Sequence, residues 1–271
     1  MVFVIAEVGV NHGGSSRTAH YLVEAAAKAG ADACKFQTFD CEKLDPPGER
    51  REMLRKLQLT QSNHIALKYT AGDLGIEFMS TPFDVESLRF LVDDLGVKTL
   101  KIASGNLDNE PLLRAANMSG LRVIVSTGMA TLDEVRDADL RLAGVSHCML
   151  HCTSAYPTPI EDVNLRAMVT MRDNIGCEVG LSDHTEDIVV PIAAVALGAT
   201  VIEKHLTLDR RMDGPDHLCS LEPDDFAEMV RGIRTVEKAL GDGVKAPRDS
   251  EDPVMQIAME RKTWREKQCA A

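Results

Sequence analysis

No apolar run in this 271-residue chain is long enough to cross a bilayer, which takes about 20 consecutive apolar residues. The start lacks the pattern of a secretory leader, because Glu7 and the polar pair Asn11-His12 follow only a short apolar stretch. These absences predict a soluble, cytoplasmic protein with no membrane partner. The seven cysteines are odd in number and none forms a Cys-x-x-Cys pair. Cys34, Cys148 and Cys152 instead sit in apolar runs and read as buried thiols of a reducing compartment. Basic residues are outnumbered, 30 Lys and Arg against 42 Asp and Glu, for a net charge of −12. That balance argues against a nucleic-acid or anionic-membrane partner. An anionic small substrate would need a local basic pocket. No Gly-x-Gly-x-x-Gly turn follows a strand-like run, and no low-complexity tract, short repeat or linker divides the first 240 residues.

What is present is an alternation of short apolar runs and helical patterns. Strands are expected at Val2–Ala6, Ala33–Thr38, Glu77–Ser80, Thr99–Ala103, Arg122–Ser126, Cys148–Cys152, Glu178–Leu181 and Thr200–Glu203. Between them, Thr18–Ala29 has apolar residues Tyr21, Leu22, Ala25, Ala26 and Ala29 on one helical face. Further helices are expected at Thr60–Leu74, Val85–Leu95, Pro111–Met118, Thr131–Leu142, Asn164–Asn174, Ile188–Leu197 and Pro223–Leu240. Thr131 with Glu134 makes a capping box, and Gly30, Gly75 and Gly198 stand where helices end. Eight βα units with right-handed crossovers close most simply into an α/β fold of the (β/α)8 TIM-barrel type. A doubly wound open sheet is the alternative. The barrel is expected to occupy residues 1–245. Residues 246–271 follow a composition change at Gly241-Asp242-Gly243 and read as a C-terminal helical extension, with its helix from Val254 to Lys267.

Polar residues collect just after the apolar runs, at the strand ends where barrels do chemistry. His184 and His205 close two neighbouring strands, and such a pair can share one metal ion. Packed strand-end histidines are the alternative. Lys35 and Lys101 lie inside strands, where an ammonium is costly without an anion. Flanked by Ser/Thr strand ends, they look like a phosphate and carboxylate clamp. Pairing of the two lysines with Glu7 or Glu203 is the competing structural reading.

The runs AEVGVNHGG, KFQTFD, STPFD, KIASG, VSTGMATLDEV, LHCTSAYPTP, GLSDHT and GATVIEKHLTLDR…MDGPDH occur in this order, within a match that extends over about residues 5–247. Together they resemble the sialic acid synthase family, phosphoenolpyruvate-dependent condensing enzymes for nonulosonic acids. The resemblance implies a metal-dependent condensation of phosphoenolpyruvate with an N-acylated aldose such as N-acetylmannosamine. Lys35, Thr81, Lys101, Ser104, Ser126 and Ser182 match the family's phosphoenolpyruvate site. His184 and His205 match its metal ligands, with Mn²⁺ favoured over Mg²⁺ or Co²⁺ and Zn²⁺ also compatible with the donors. Gln37, Tyr156 and Asp216 match acceptor contacts. Glu7 and Asp216 are the candidate acid–base pair, with a lysine-holding role for Glu7 and an ordinary loop role for Asp216 as the alternatives.

Two departures stand out. Asn106 occupies an acceptor-site position where many relatives carry Glu, and Ser154 stands where Asn is usual. An amide neither gives nor takes a proton at neutral pH, so Glu7 would do that work alone or the acceptor would differ. Relatives also carry a C-terminal antifreeze-like domain that lends an arginine to the partner's acceptor site. The chain ends at Ala271, where that domain would begin. A homo-oligomer is still expected, with the extension covering the barrel mouth or a neighbour. Two other readings stay open: a synthase for a different aldehyde in a specialised glycan or natural-product pathway, and a non-catalytic sugar-binding barrel.

Overall fold

The structure is a computed structural model and describes residues 1–269. Eight strands form one sheet: β1 Phe3–Gly9, β2 Ala33–Thr38, β3 Glu77–Pro82, β4 Thr99–Ile102, β5 Arg122–Ser126, β6 His147–His151, β7 Glu178–Asp183 and β8 Val201–His205. Their order is β3-β2-β1-β8-β7-β6-β5-β4, and every ladder is parallel. β3 and β4, at the two ends of that order, lie against each other and bring the sheet round on itself. The expected (β/α)8 barrel is therefore the fold.

Side-chain alternation divides each strand between two cores. Outward residues such as Val4, Ala6, Phe36, Ile102, Val125 and Ile202 pack under the helices in the main core. Inward residues Ile5, Ala33, Met79, Ile124, Cys148, Leu150 and Val201 fill the barrel near the strand starts, with Phe3 against them. Burial on both faces is why these strands read as continuous apolar runs. At Gly180 the interior has no room for a side chain: a Cβ there would lie 2.3 Å from the Val201 carbonyl oxygen and 2.7 Å from Leu150 Cδ2.

The helices are α1 Ser16–Lys28, α2 Cys41–Leu44, α3 Glu49–Leu57, α4 Gln61–Asp73, α5 Val85–Arg89, α6 Glu110–Met118, α7 Leu132–Arg141, α8 Arg166–Asn174, α9 Val189–Ala196, α10 Pro223–Leu240 and α11 Asp252–Cys269. The Thr131–Glu134 capping box forms as expected at the start of α7. Two features depart from the sequence reading. α2 and α3 were not expected, because α3 buries only Leu54 and so has no apolar face to betray it. β1, β3, β7 and β8 run two or three residues past their apolar runs, through Gly9, Pro82, Asp183 and His205. Ladder bonds are made by the backbone, so strands persist where inward polar side chains have one another as partners.

The chain divides into two compact units, residues 1–238 and 239–271. The second holds α11, which contains the expected Val254–Lys267 helix.

Candidate active site

The last inward layer of the strands is polar and opens into a cleft of about 530 Å³. Its lining includes Glu7, Lys35, Gln37, Thr81, Lys101, Ser104, Ser126, Tyr156, Ser182, His184, His205 and Asp216. Twelve of the fourteen residues singled out from the sequence are thus in one place. Asn106 and Ser154 are not in the lining. Asn106 ends a short turn after β4, and its side-chain oxygen accepts from Asn109 Nδ2 at 3.0 Å. Asn109 in turn caps α6. Ser154 stands behind Ser104, with the two Oγ atoms 3.4 Å apart. Gly128, with φ +51°, lets these loops meet, since a Cβ there would lie 2.5 Å from Ser104 Cβ. Glu203, Phe83, Ala103 and Cys152 also line the cleft. Phe83 and Ala103 gave no chemical signal in the sequence, because apolar residues at strand ends look like any other core residue.

Four buried charges meet at the floor. Lys35 Nζ lies 2.5 Å from Glu7 Oε2 and 3.6 Å from Glu203 Oε2, and donates to Thr81 Oγ1 at 3.1 Å. Lys101 Nζ donates to Ser126 Oγ at 2.6 Å and lies 3.7 Å from Glu203 Oε1. Ser182 Oγ donates to the same Glu203 oxygen at 2.9 Å. The pairing of lysines with Glu7 and Glu203 is therefore present, and it coexists with the hydroxyl ring. Two ammoniums and two carboxylates sum to no net charge. Burial drives Glu7 well above the usual carboxylate range, against the pull of Lys35. Burial acts the same way on Glu203, but Lys101 and Lys35 outweigh it and hold that carboxyl low. Burial lowers Lys101, whereas Glu203 and Glu7 more than offset it at Lys35.

The two histidines face each other with ring centroids 5.4 Å apart. His184 Nδ1 donates to the Thr153 carbonyl at 2.8 Å, which leaves Nε2 as a lone pair. His205 Nδ1 is buried with no hydrogen-bond partner, 3.8 Å from Asp216 Oδ2. Burial pushes both imidazoles below their ordinary value, and at His205 the neighbouring His184 and the lysines add to this. Neutral rings, one orphaned nitrogen and a nearby carboxylate fit a divalent cation.

Two devices that the sequence reading did not assign hold these groups. Lys204, fully buried on the outer face of β8, binds Asp183 and the Thr185 carbonyl, fixing both flanks of His184. Residues 206–221 fold back on β8: Leu221 N–H donates to the His205 carbonyl, and Asn11 Nδ2 bonds the Leu206 carbonyl and Ser220 Oγ. Ser220 Oγ then holds the Asp216 carbonyl at 2.6 Å. Burial raises the Asp216 carboxyl to about 6.

A (β/α)8 barrel with buried lysines, hydroxyls and histidines at the carboxyl ends of its strands carries its polar cleft where barrel enzymes do their chemistry. The family follows from comparison with known proteins: the chain belongs to the NeuB family, whose pattern matches residues 22–245. It is 44% identical to the N,N'-diacetyllegionaminic acid synthase of Legionella pneumophila, over 97% of this chain and 80% of that protein. It is 35% identical to human N-acetylneuraminate-9-phosphate synthase, over 90% of this chain and 72% of that one. Among solved structures it resembles an N-acetylneuraminic acid synthetase from Leptospira borgpetersenii, with a TM-score of 0.88 and 38% identity over 94% and 90% of the two chains. The chain is accordingly an enzyme of the carbon–carbon bond-forming transferase type.

Proposed function

We propose that this enzyme condenses phosphoenolpyruvate with an N-acylated aldose to give a nonulosonic acid and phosphate. The observation that carries the reading is the shared cleft, where Lys35 and Lys101 stand with four hydroxyls beside the His184–His205 pair. Phosphoenolpyruvate is a trianion, and charge-assisted bonds from two buried ammoniums suit its phosphate and carboxylate. A divalent ion held by His184 and His205 would supply Lewis-acid polarisation of the aldehyde oxygen. Carbon 3 of phosphoenolpyruvate attacks the aldehyde carbon, and carbon 2 becomes cationic. Water adds at carbon 2 and gives its proton to Glu7, whose raised affinity for protons fits it to take one and pass it on. The new alkoxide takes one proton, for which Asp216 at the mouth is the candidate donor. The tetrahedral carbon 2 then expels phosphate by C–O cleavage, and its hydroxyl proton leaves with the phosphate to give the ketone. Gln37 and Tyr156 would contact the acceptor, Tyr156 with its ring 4.1 Å from that of His184.

A second reading concerns the acceptor. Two relatives at 41–44% identity are named for N,N'-diacetyllegionaminic acid, a product with two acetamido groups. Asn106 turned toward α6 removes one expected contact to N-acetylmannosamine. An aldose with two acetamido groups is therefore the rival substrate. The test is phosphate release from phosphoenolpyruvate with Mn²⁺ and each aldose in turn. Release with one of them assigns the acceptor. Binding of phosphoenolpyruvate without release under either aldose would overturn both acceptors and point to a different aldehyde.

A further inference from the structure

The opposite end of the barrel carries a donor set that the reaction does not use. His147 begins β6, Cys177 immediately precedes β7, and Asp139 lies on α7. β6 and β7 are adjacent, with Cys148 paired to Glu178, so His147 and Cys177 fall side by side on the outer face under α7. One ligand atom from each of the three residues lies within 4.8 Å of the others. The three also line an open cleft with Leu140, Val145 and Gly176, which gives a route in from solvent.

The orientation of His147 is the informative detail. Its Nδ1 is 2.9 Å from the Val145 carbonyl, an acceptor only, so Nδ1 carries a hydrogen. Its Nε2 points at Asp139 Oδ1, 2.7 Å away. A ring locked by a backbone carbonyl, with the other nitrogen aimed at further donors, is how metal-binding imidazoles are set. Burial and the adjacent Asp139 keep the Cys177 thiol protonated.

We propose that Asp139, His147 and Cys177 form a Zn²⁺ site at the amino-terminal end of the strands. One thiolate, one imidazole and one carboxylate are the mixed donors Zn²⁺ accepts, and two anionic ligands neutralise its charge. Binding sends the thiol proton to solvent. Tetrahedral ligands at bonds of about 2.0–2.3 Å stand roughly 3.3–3.7 Å apart, so the His147–Asp139 edge opens by about half an ångström. The fourth position stays with water from the cleft. The ion would tie the end of α7 to the starts of β6 and β7, far from the cleft where the substrates meet.

Protein stripped with a chelator and loaded with Co²⁺ alone tests the assignment by absorption. A near-ultraviolet thiolate-to-cobalt charge-transfer band is expected in the unmodified chain. It should survive in His205→Ala and in Cys152→Ser, the cleft's own cysteine, and disappear in Cys177→Ser. Zn²⁺ affinity, measured by competition with a chromogenic chelator, should fall at least about tenfold in His147→Gln and in Asp139→Asn. A band that persists in Cys177→Ser, or no band in the unmodified protein, overturns the site. Absence of the band in the unmodified protein overturns the site even if a variant fails to fold. None of these readings depends on turnover, so they stand or fall apart from the proposed reaction.

Discussion

The two ends of the barrel interior are built on the same eight strands yet differ in every respect that matters for chemistry. Near the strand starts the inward positions hold Ile5, Ala33, Met79, Ile124, Leu150 and Val201, closely packed and dry. Two residues further along several of the same strands stand Glu7, Lys35, Thr81, Ser126 and Glu203. The step of two follows from strand geometry, which returns every second residue to the same face. The first layer is stabilised by burial of apolar surface. The second replaces that gain with charges whose desolvation is offset only by their mutual pairing. The comparison teaches that fold stability and chemistry are separated by one layer along the strand, not by separate domains.

The separation can be broken from either side. The largest effect is expected from Lys101→Met, which removes one of the two clamp ammoniums while keeping the side chain's length. Loss of a buried charge-assisted contact of about 3–4 kcal/mol should lower kcat/KM for phosphoenolpyruvate by about 10²–10³-fold. The far-ultraviolet circular dichroism should be unchanged, since Glu203 keeps Lys35 and Ser182 as partners. A normal phosphoenolpyruvate dependence in this variant would remove Lys101 from the clamp.

Ile5→Ala acts on the other layer. Ile5 is fully buried, and the truncation should cost about 2–4 kcal/mol of stability. Denaturant unfolding would measure it, and the KM for phosphoenolpyruvate of the folded fraction should not move. A KM shift as large as that of Lys101→Met would show that the two layers are not independent.

A pH test follows from His12, buried beside β1 with its Nδ1 accepting the Gly14 N–H at 3.0 Å. Burial, helped by His64, lowers it from 6.5 to about 4. A depressed histidine contributes stability above its unfolded value, and that contribution is lost as pH falls from about 6.5 toward 4. His12→Asn keeps an acceptor but cannot titrate. The stability gap between the two proteins should therefore narrow by on the order of 1–3 kcal/mol across that window. Parallel denaturation curves at every pH would count against a neutral buried ring.

The smallest expected effect sharpens the charged layer itself. His205→Ala should weaken Mn²⁺ binding at least about tenfold, as for loss of one of two protein ligands. A cation held beside the lysines would add to the attraction for the trianion. Phosphoenolpyruvate should then bind more tightly with Mn²⁺ than without it, and by linkage the reverse. Calorimetry showing no such coupling would place the cation outside the anion's reach.

Much of this was legible in the chain. Apolar runs spaced between helical patterns specify eight βα units, and a polar residue at each run's end marks the working face. α2 and α3 were not legible, because their few buried residues leave no periodic pattern. At Asn106 the motif did not show that its side-chain oxygen is held by Asn109.

The sequence by itself determined the barrel, the inventory of charged and hydroxyl side chains, and the order in which strands deliver them. Local periodicity and strand alternation are properties of neighbouring residues, so they can be read along the chain. Only the tertiary structure decided which lysine meets which carboxylate, that Lys204 holds the flanks of His184 from outside, and that Asp139, His147 and Cys177 converge beneath the barrel. Those pairings join residues on different elements, and their distances are set by sheet closure and helix packing rather than by anything a single stretch of sequence contains.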